Sequence, residues 1–550
     1  MLSEAEFFLA FIIQLRALPR IFRATRRTRS DSPSMSPSPA SPPTPPGSPA
    51  ANDTEALPGD GKTQDLRRRA IRGGAITIAS QFAKLAITMI STVVLARLLT
   101  PNDFGLVAMV AAVTGVLALV QDSGLSMATV QKSHVTRELI SSIFWINVAL
   151  GSIVSLLCVV LAPVLAALYR EQRLSAIGIA IASTFIIDAI GAQHMALLRR
   201  QLRMKAIAAV DILSTAVGVA VSIAMALVGF GYWALVGMRI ATSFASTLGC
   251  WIAESWRPSR PAKPRHGSGV GSMLRFGGFL SGFNLVNYVF RNIDNVLIGW
   301  RWGAGPLGMY QKAYGLLMLP INQVNSPISG VAIAALSRIQ DDPPRQRRYF
   351  IGGYSITVAV VVPIVVGGAV FADAIIRFLL GDQWLEAVDI FRYLAPAALI
   401  GALLNPFGWL FISTGRVDRQ FRAALVWTPV VTAAFAIGLP YGPEGVAIAY
   451  SVISALLAIP LCFYAVHGTT IKPRDIVVAI RLPMLAGLAA AGAALVLDAS
   501  WPHTLPAAVR AIGGCAFVVL VYALTLLTVL GQWRHYRALL HDLWPNRFAP

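Results

Sequence analysis

Asn284, Asn287, Tyr288, Arg291, Asp294 and Asn295 stand three or four residues apart in an otherwise apolar stretch, so they share one face of a helix. Burying one charge at the centre of a bilayer costs about 2.5 to 3.5 kcal/mol on insertion scales. A helix carrying both Arg291 and Asp294 is therefore expected to face a watery or ligand-filled cavity rather than lipid. Two chemistries compete for Arg291. It binds an anion, or it is neutralised by Asp294 three residues on along the same helix.

Four further cations lie inside apolar stretches: Lys84, Arg239, Lys312 and Arg392. Lys312 and Arg392 stand near helix ends, where a long side chain can reach the interface instead of a cavity. The deep acids are fewer, namely Asp188 and Asp294, with Asp211 close to a helix end. Pro320 and Pro327 flank Asn322, Gln323, Asn325 and Ser326. Two prolines so close predict a broken helical ladder and a bent, cavity-lining helix whose freed carbonyls are met by polar neighbours. His194 reads as an interfacial residue. Cys158, Cys250, Cys462 and Cys515 stand singly and form no metal-ligand or disulfide pattern. Ala56–Thr63 imitates a phosphate-binding loop but lacks its leading glycine and a preceding strand, so no nucleotide, cofactor or metal site is assigned. No arrangement of carboxylates, histidines or serines suggests catalysis, and the chain is read as a non-enzyme.

The elements that must position these residues are membrane helices. Of 550 residues, 56% are hydrophobic and 13% charged, with a mean hydropathy of +0.64. This excludes a soluble globular chain and a disordered one. Runs long enough to span a bilayer recur fourteen times between Gly73 and Leu530. The net charge of +20 would suit a nucleic-acid binder, but its placement argues against one. With the N-terminus in the cytoplasm, 35 of the 46 Lys and Arg fall in cytoplasmic segments and only six on the opposite side. That is the positive-inside pattern, and an even span count puts both termini in the cytoplasm. Residues 1–72 read as a basic, Pro/Ser-rich, largely disordered tail.

A repeat organises the spans. A shift of 204 residues lays Gly74 on Gly278, Val93 on Leu297 and Arg97 on Arg301, and brings Ser80, Lys84 and Ser91 onto Asn284, Tyr288 and Asn295. Dropping one residue in the following turn lays Gly105 on Gly308 and Ser123 on Ser326. Six spans separate the equivalent helices, so both run outward, and the repeat is parallel about an axis along the membrane normal. The expected fold is an all-α integral membrane protein with two six-helix lobes around a central cavity, 73–271 and 272–470. Two extra helices and a short tail follow in 471–550.

The segment Asn287, Arg291, Asn292, Asp294, Asn295, Gly303, Leu307, Gly308, Tyr310, Lys312, Tyr314 and Pro320 resembles the bacterial polysaccharide transporter family. These are the Wzx-type flippases of the multidrug/oligosaccharidyl-lipid/polysaccharide exporter superfamily. Ala96, Arg97, Leu98, Leu99, Pro101, Asp103, Phe104, Gly105 and Gly124 are similar to that family's first hairpin. The resemblance covers roughly 72–530. The Pro-rich extension departs from the family pattern, which puts the start site in question. The resemblance implies translocation of undecaprenyl-diphosphate-linked oligosaccharide repeat units across the bacterial cell inner membrane, for lipopolysaccharide or exopolysaccharide biosynthesis. It also implies working partners such as a polysaccharide polymerase and chain-length or export proteins, besides membrane lipids. Under that reading Lys84, Arg239, Arg291, Asp294, Lys312, Asn287 and Asn325 are the expected substrate-binding residues, with Lys84 and Arg291 as paired anion ligands from the two lobes. The alternatives are a drug exporter or a peptidoglycan-precursor flippase of the same superfamily, or a membrane polysaccharide polymerase or ligase.

Overall fold

The computed structural model describes residues 60–121, 137–259, 288, 291–502 and 504–543. Gln64–Pro550 forms one compact unit, and its described residues are helical with no strand. The first half contributes α1 (Asp60–Leu98), α2 (Pro101–Gln121), α3 (Arg137–Tyr169), α4 (Arg173–Arg200), α5 (Met204–Leu227) and α6 (Trp233–Ala253). The second half contributes α7 (Ile293–Trp302), α8 (Ala304–Arg338), α9 (Pro343–Val370), the short α10 (Ala372–Leu379), α11 (Ala387–Leu404), α12 (Phe407–Ser413), α13 (Val417–Gly438) and α14 (Gly442–Val466). Then come α15 (Pro473–Ser500), α16 (Ala507–Leu524), which continues through a π-helical turn, and α17 (Trp533–Leu543). Residues 1–59, which hold most of the expected tail, lie outside the described residues, as do Asn284, Asn287 and Ser123.

Eleven stretches among the described residues are long and apolar enough to cross a membrane, against fourteen expected. One of them, Val417–Val466, takes in both α13 and α14. The expected eighth span is present as the 35-residue α8, whose polar residues keep it out of that set. Most of the expected seventh lies outside the described residues. Large apolar side chains such as Ile153, Leu156, Leu213 and Leu456 are more than 60% exposed. A surface of that kind is costly in water and natural in lipid.

The start of α2 shows how local sequence sets an element. Thr100 and Asp103 form a reciprocal cap, the Thr100 N–H donating to Asp103 Oδ2 at 2.9 Å and the Asp103 N–H to Thr100 Oγ1 at 3.3 Å, with Pro101 in the first turn. Between α7 and α8, Gly303 turns the chain at a φ of 83°, a conformation open to glycine at little cost.

The two halves meet chiefly where α2 crosses α8. A Cβ on Gly105 would collide with the backbone of Ala304, and one on Gly308 with the carbonyl of Pro101. The offset that lays Gly105 on Gly308 also lays Pro101 on Ala304. The contact is therefore reciprocal, as it must be across a two-fold axis. One hydrophobic core runs across both halves. The turn after α10 reaches the end of α1. Trp384 Nε1 donates to the Ala96 carbonyl at 2.8 Å, Gln383 Nε2 to the carbonyls of Ala96 and Leu99, and Arg97 Nη2 to the Phe378 carbonyl at 2.7 Å.

His194 is fully buried within the bundle, stacked on Trp251 at 4.3 Å and beside Phe144 and Trp256, with its Nε2 3.2 Å from the Trp256 carbonyl. An imidazole with aromatic neighbours on several sides packs as an aromatic ring. The helix through Pro320 and Pro327 lines the cavity described below through Asn322 and Asn325, as expected, and α8 continues past both prolines. Each proline removes one amide donor, a loss too local to end a 35-residue helix held along its length by α2, α9 and α11.

Candidate functional site

The break in helical structure falls elsewhere, at Asn292. Arg291 is helical, Asn292 is not, and α7 starts at Ile293 with Asn292 as its cap at φ −122°. Asn292 Nδ2 donates back to the Tyr288 carbonyl at 2.9 Å, which satisfies a group the break would free. Tyr288 in turn donates its hydroxyl to the Ala111 carbonyl on α2 at 3.1 Å. The interruption puts Arg291 and Asp294 in different surroundings, although they are three residues apart.

Asp294 is buried in the first turn of α7, the end of a helix where a carboxylate is favoured. Its Oδ1 accepts from the Asn295 N–H at 2.8 Å and its Oδ2 from the Tyr310 hydroxyl at 3.0 Å. Tyr310 is itself buried and lies parallel to Tyr314, 6.5 Å away. Among the described ion pairs Asp294 has no basic partner, so the Arg291–Asp294 neutralisation considered above does not occur. Arg291 is exposed and shares a cavity wall with Tyr314 and Tyr450.

Arg291, Asp294, Tyr314 and Tyr450 line a cavity of about 320 Å³. Met318, Ile321, Asn322 and Asn325 of α8 face it, as do Asn405 beyond α11, Trp427, Thr428, Val431 and Phe435 of α13, and Gly401 and Ala402 of α11. Every one of these residues belongs to the second half of the chain. Asn325 is only 6% exposed, and its Oδ1 has no hydrogen-bond partner. Asn405 is better anchored: its Oδ1 accepts from Ser329 Oγ at 3.3 Å, and Trp409 Nε1 donates to the same Ser329 Oγ at 2.8 Å.

Of the seven expected site residues, the cavity brings together Arg291, Asp294 and Asn325. Lys84 is exposed on α1 and is not in the lining. Arg239 bonds Asp188 at 3.1 Å, within the first half. Lys312 places its Nζ 3.8 Å over the ring of Phe104, whose edge meets Trp384. Asn287 lies outside the described residues. Arg392, read as a snorkelling residue, lies 3.7 Å from Asp389. Sequence reasoning missed Trp427, Tyr450 and Asn405. A lone aromatic or amide on an apolar helix carries no signal until packing turns it toward its neighbours.

A bundle of helices long and apolar enough to cross a membrane, with a polar cavity among them, is the architecture of a multi-pass membrane protein. Comparison with known proteins gives the family. The polysaccharide biosynthesis protein family matches residues 94–389, and the chain belongs to it. Teichuronic acid biosynthesis protein TuaB of Bacillus subtilis (strain 168) is 27% identical over 316 residues, which are 55% of this chain and 62% of TuaB. The chain thus spans less than two thirds of that relative. Succinoglycan biosynthesis transport protein ExoT of Rhizobium meliloti (strain 1021) is 24% identical over 388 residues, 66% of this chain and 77% of ExoT. Among solved structures, lipid II flippase MurJ in an inward closed conformation superposes with a TM-score of 0.67 at 15% identity, covering 85% of this chain and 99% of MurJ. The likeness establishes a shared fold.

Proposed function

We propose that this chain flips undecaprenyl-diphosphate-linked oligosaccharide repeat units across the bacterial cytoplasmic membrane for lipopolysaccharide or exopolysaccharide biosynthesis. It would do so by alternating access between lobes 73–271 and 272–470, with fourteen spans and both termini in the cytoplasm. The observation that carries this reading is the exposed guanidinium of Arg291 in a polar cavity among membrane helices. A hydrated, charged headgroup crosses hydrocarbon only if protein groups replace its water, and a cation amid amides and hydroxyls does this. Family membership and the named role of ExoT in transport support it. Lys84 would meet the substrate from the other lobe as the halves rock. Arg239 and Lys312, engaged by Asp188 and Phe104, are assigned to the path only when those contacts open. The polymerase or ligase reading is set aside because the described turns on the proposed outer side, such as 170–172 and 380–386, are too short to carry a catalytic loop.

The test is a deletion strain. Loss of the chain should stop surface polysaccharide and make its lipid-linked repeat unit accumulate facing the cytoplasm, with drug susceptibility unchanged. An unchanged lipid pool with intact polysaccharide and newly retained drugs would reject the flippase in favour of the exporter.

A further inference from the structure

The chemistry of the cavity discriminates between the parts of such a substrate. Its volume of about 320 Å³ sits at the small end of the roughly 300–1,000 Å³ typical of small-molecule sites. That is room for a sugar ring or a disaccharide, and far short of a lipid-linked oligosaccharide. Among the described lining residues the one cation is Arg291, in the same wall as the buried carboxylate of Asp294. A diphosphate would bring more than one negative charge to a single guanidinium with a carboxylate in the same wall, whereas a sugar carboxylate brings the one charge that Arg291 can match. The orphaned atom is more selective still. Asn325 Oδ1 is an acceptor, buried and without a donor, and leaving such a group unmet costs about 1 to 3 kcal/mol. A diphosphate offers acceptors only, whereas a sugar hydroxyl donates. Asn322 and Asn405 add amides on the same wall, and the indole of Trp427 adds a broad apolar surface of the kind on which the C–H face of a pyranose packs.

We propose that this cavity is a saccharide subsite, seating one acidic hexopyranose ring of the repeat unit. Trp427 is its platform, Asn322, Asn325 and Asn405 meet its hydroxyls, and Arg291 pairs with its carboxylate. The inference rests on the flippase reading and adds to it where sugar specificity is set. The described lining lies in the second half of the chain, so these residues would read a sugar without the other half closing on it.

The experiment uses the full chain in lipid nanodiscs and saturation-transfer NMR, which detects weak ligands, with glucuronate, glucose and inorganic diphosphate as probes. Glucuronate should give saturable ring-proton signals and bind about tenfold more tightly than glucose, the worth of one charge-assisted bond. Arg291→Gln should bring the two sugars to parity. Trp427→Leu should weaken both. Asn325→Asp keeps the size of the side chain but adds a negative charge, so it should abolish glucuronate binding in a protein that still elutes as folded. Failure of both sugars to bind the wild type would overturn the proposal. So would sugar binding unchanged in Asn325→Asp, or displacement of glucuronate by diphosphate at equal concentration; the last would make the cavity a phosphate site. The lipid pool of the deletion strain is read separately. A dammed pool with no sugar binding sinks the subsite and spares the flippase, whereas an undammed pool sinks the flippase itself.

Discussion

Arg291 and Asp294 look like a pair in the sequence and are not one in the structure. The Asp294 carboxylate is met by Tyr310 and the Asn295 amide, which leaves the guanidinium in the cavity. Arg291→Ala should therefore abolish transport while membrane abundance stays near wild type. Arg291→Lys should keep part of the activity, since the point charge survives and the planar fork is lost. Lipid-pool extraction and an immunoblot of membranes check both, and depletion of the Ala variant from the membrane would show a structural role instead. Tyr310 makes the opposite case. Tyr310→Phe strips a donor from a buried carboxylate and should cost about 1 to 3 kcal/mol, seen as a lower melting temperature. Combining it with Asp294→Asn should recover part of that loss, because an unmet amide is cheaper to bury than an unmet charge, so the two changes should not add. Arg291, Asp294 and Asn325 were legible in the sequence because a charge or amide amid apolar residues demands an explanation. Trp427 and Tyr450 were not, because aromatic side chains on apolar helices need none. The partners of Arg239 and Lys312, Asp188 and Phe104, lie 51 and 208 residues away in sequence. Only packing could supply them.

Among the elements, the crossing of α2 and α8 is the one whose sequence and geometry agree most closely. Gly105 and Gly308 were matched by the repeat, and each proves to leave room for the backbone of the other helix. Gly105→Ala and Gly308→Ala should each destabilise the protein, by at least the about 1 to 3 kcal/mol of an overpacked core, since neither helix backbone can move aside alone. The two should cost similar amounts. Their double variant should cost less than the sum, because one separation of the helices relieves both clashes. Thermal unfolding in nanodiscs measures all three, and an additive double variant would mean the two contacts are independent rather than one shared crossing. The interruption at Asn292 was not legible. Nothing in a single asparagine distinguishes a helix that breaks from one that continues, and the bond from its Nδ2 to the Tyr288 carbonyl exists only once the break is made. The two prolines of α8 marked a cavity-lining helix, and Asn322 and Asn325 between them stand in the cavity wall.

At the scale of the whole molecule, the proposed topology turns on which side of the membrane each turn lies, and α9 offers the sharpest test. It separates Gln340 from Asp382, both exposed. Arg338, Arg345, Arg347 and Arg348 cluster around Gln340, whereas the turn at Asp382 carries Arg377 and two acids that pair with it, Asp373 and Asp382. The positive-inside rule puts the first turn in the cytoplasm and the second outside. The native cysteines, two buried and two half-buried, are first replaced to clear the background. Gln340→Cys should then react with a membrane-impermeant maleimide only after the cells are permeabilised, and Asp382→Cys should react in intact cells. Asp382 is a better reporter than its neighbour Gln383, whose side chain is tied to the carbonyls of Ala96 and Leu99. Labelling of both positions from one side would mean that α9 does not cross, and the even alternation on which the parallel repeat and its two-fold axis depend would fail with it. Labelling from opposite sides but in the reverse sense would keep the fold and invert the protein in the membrane.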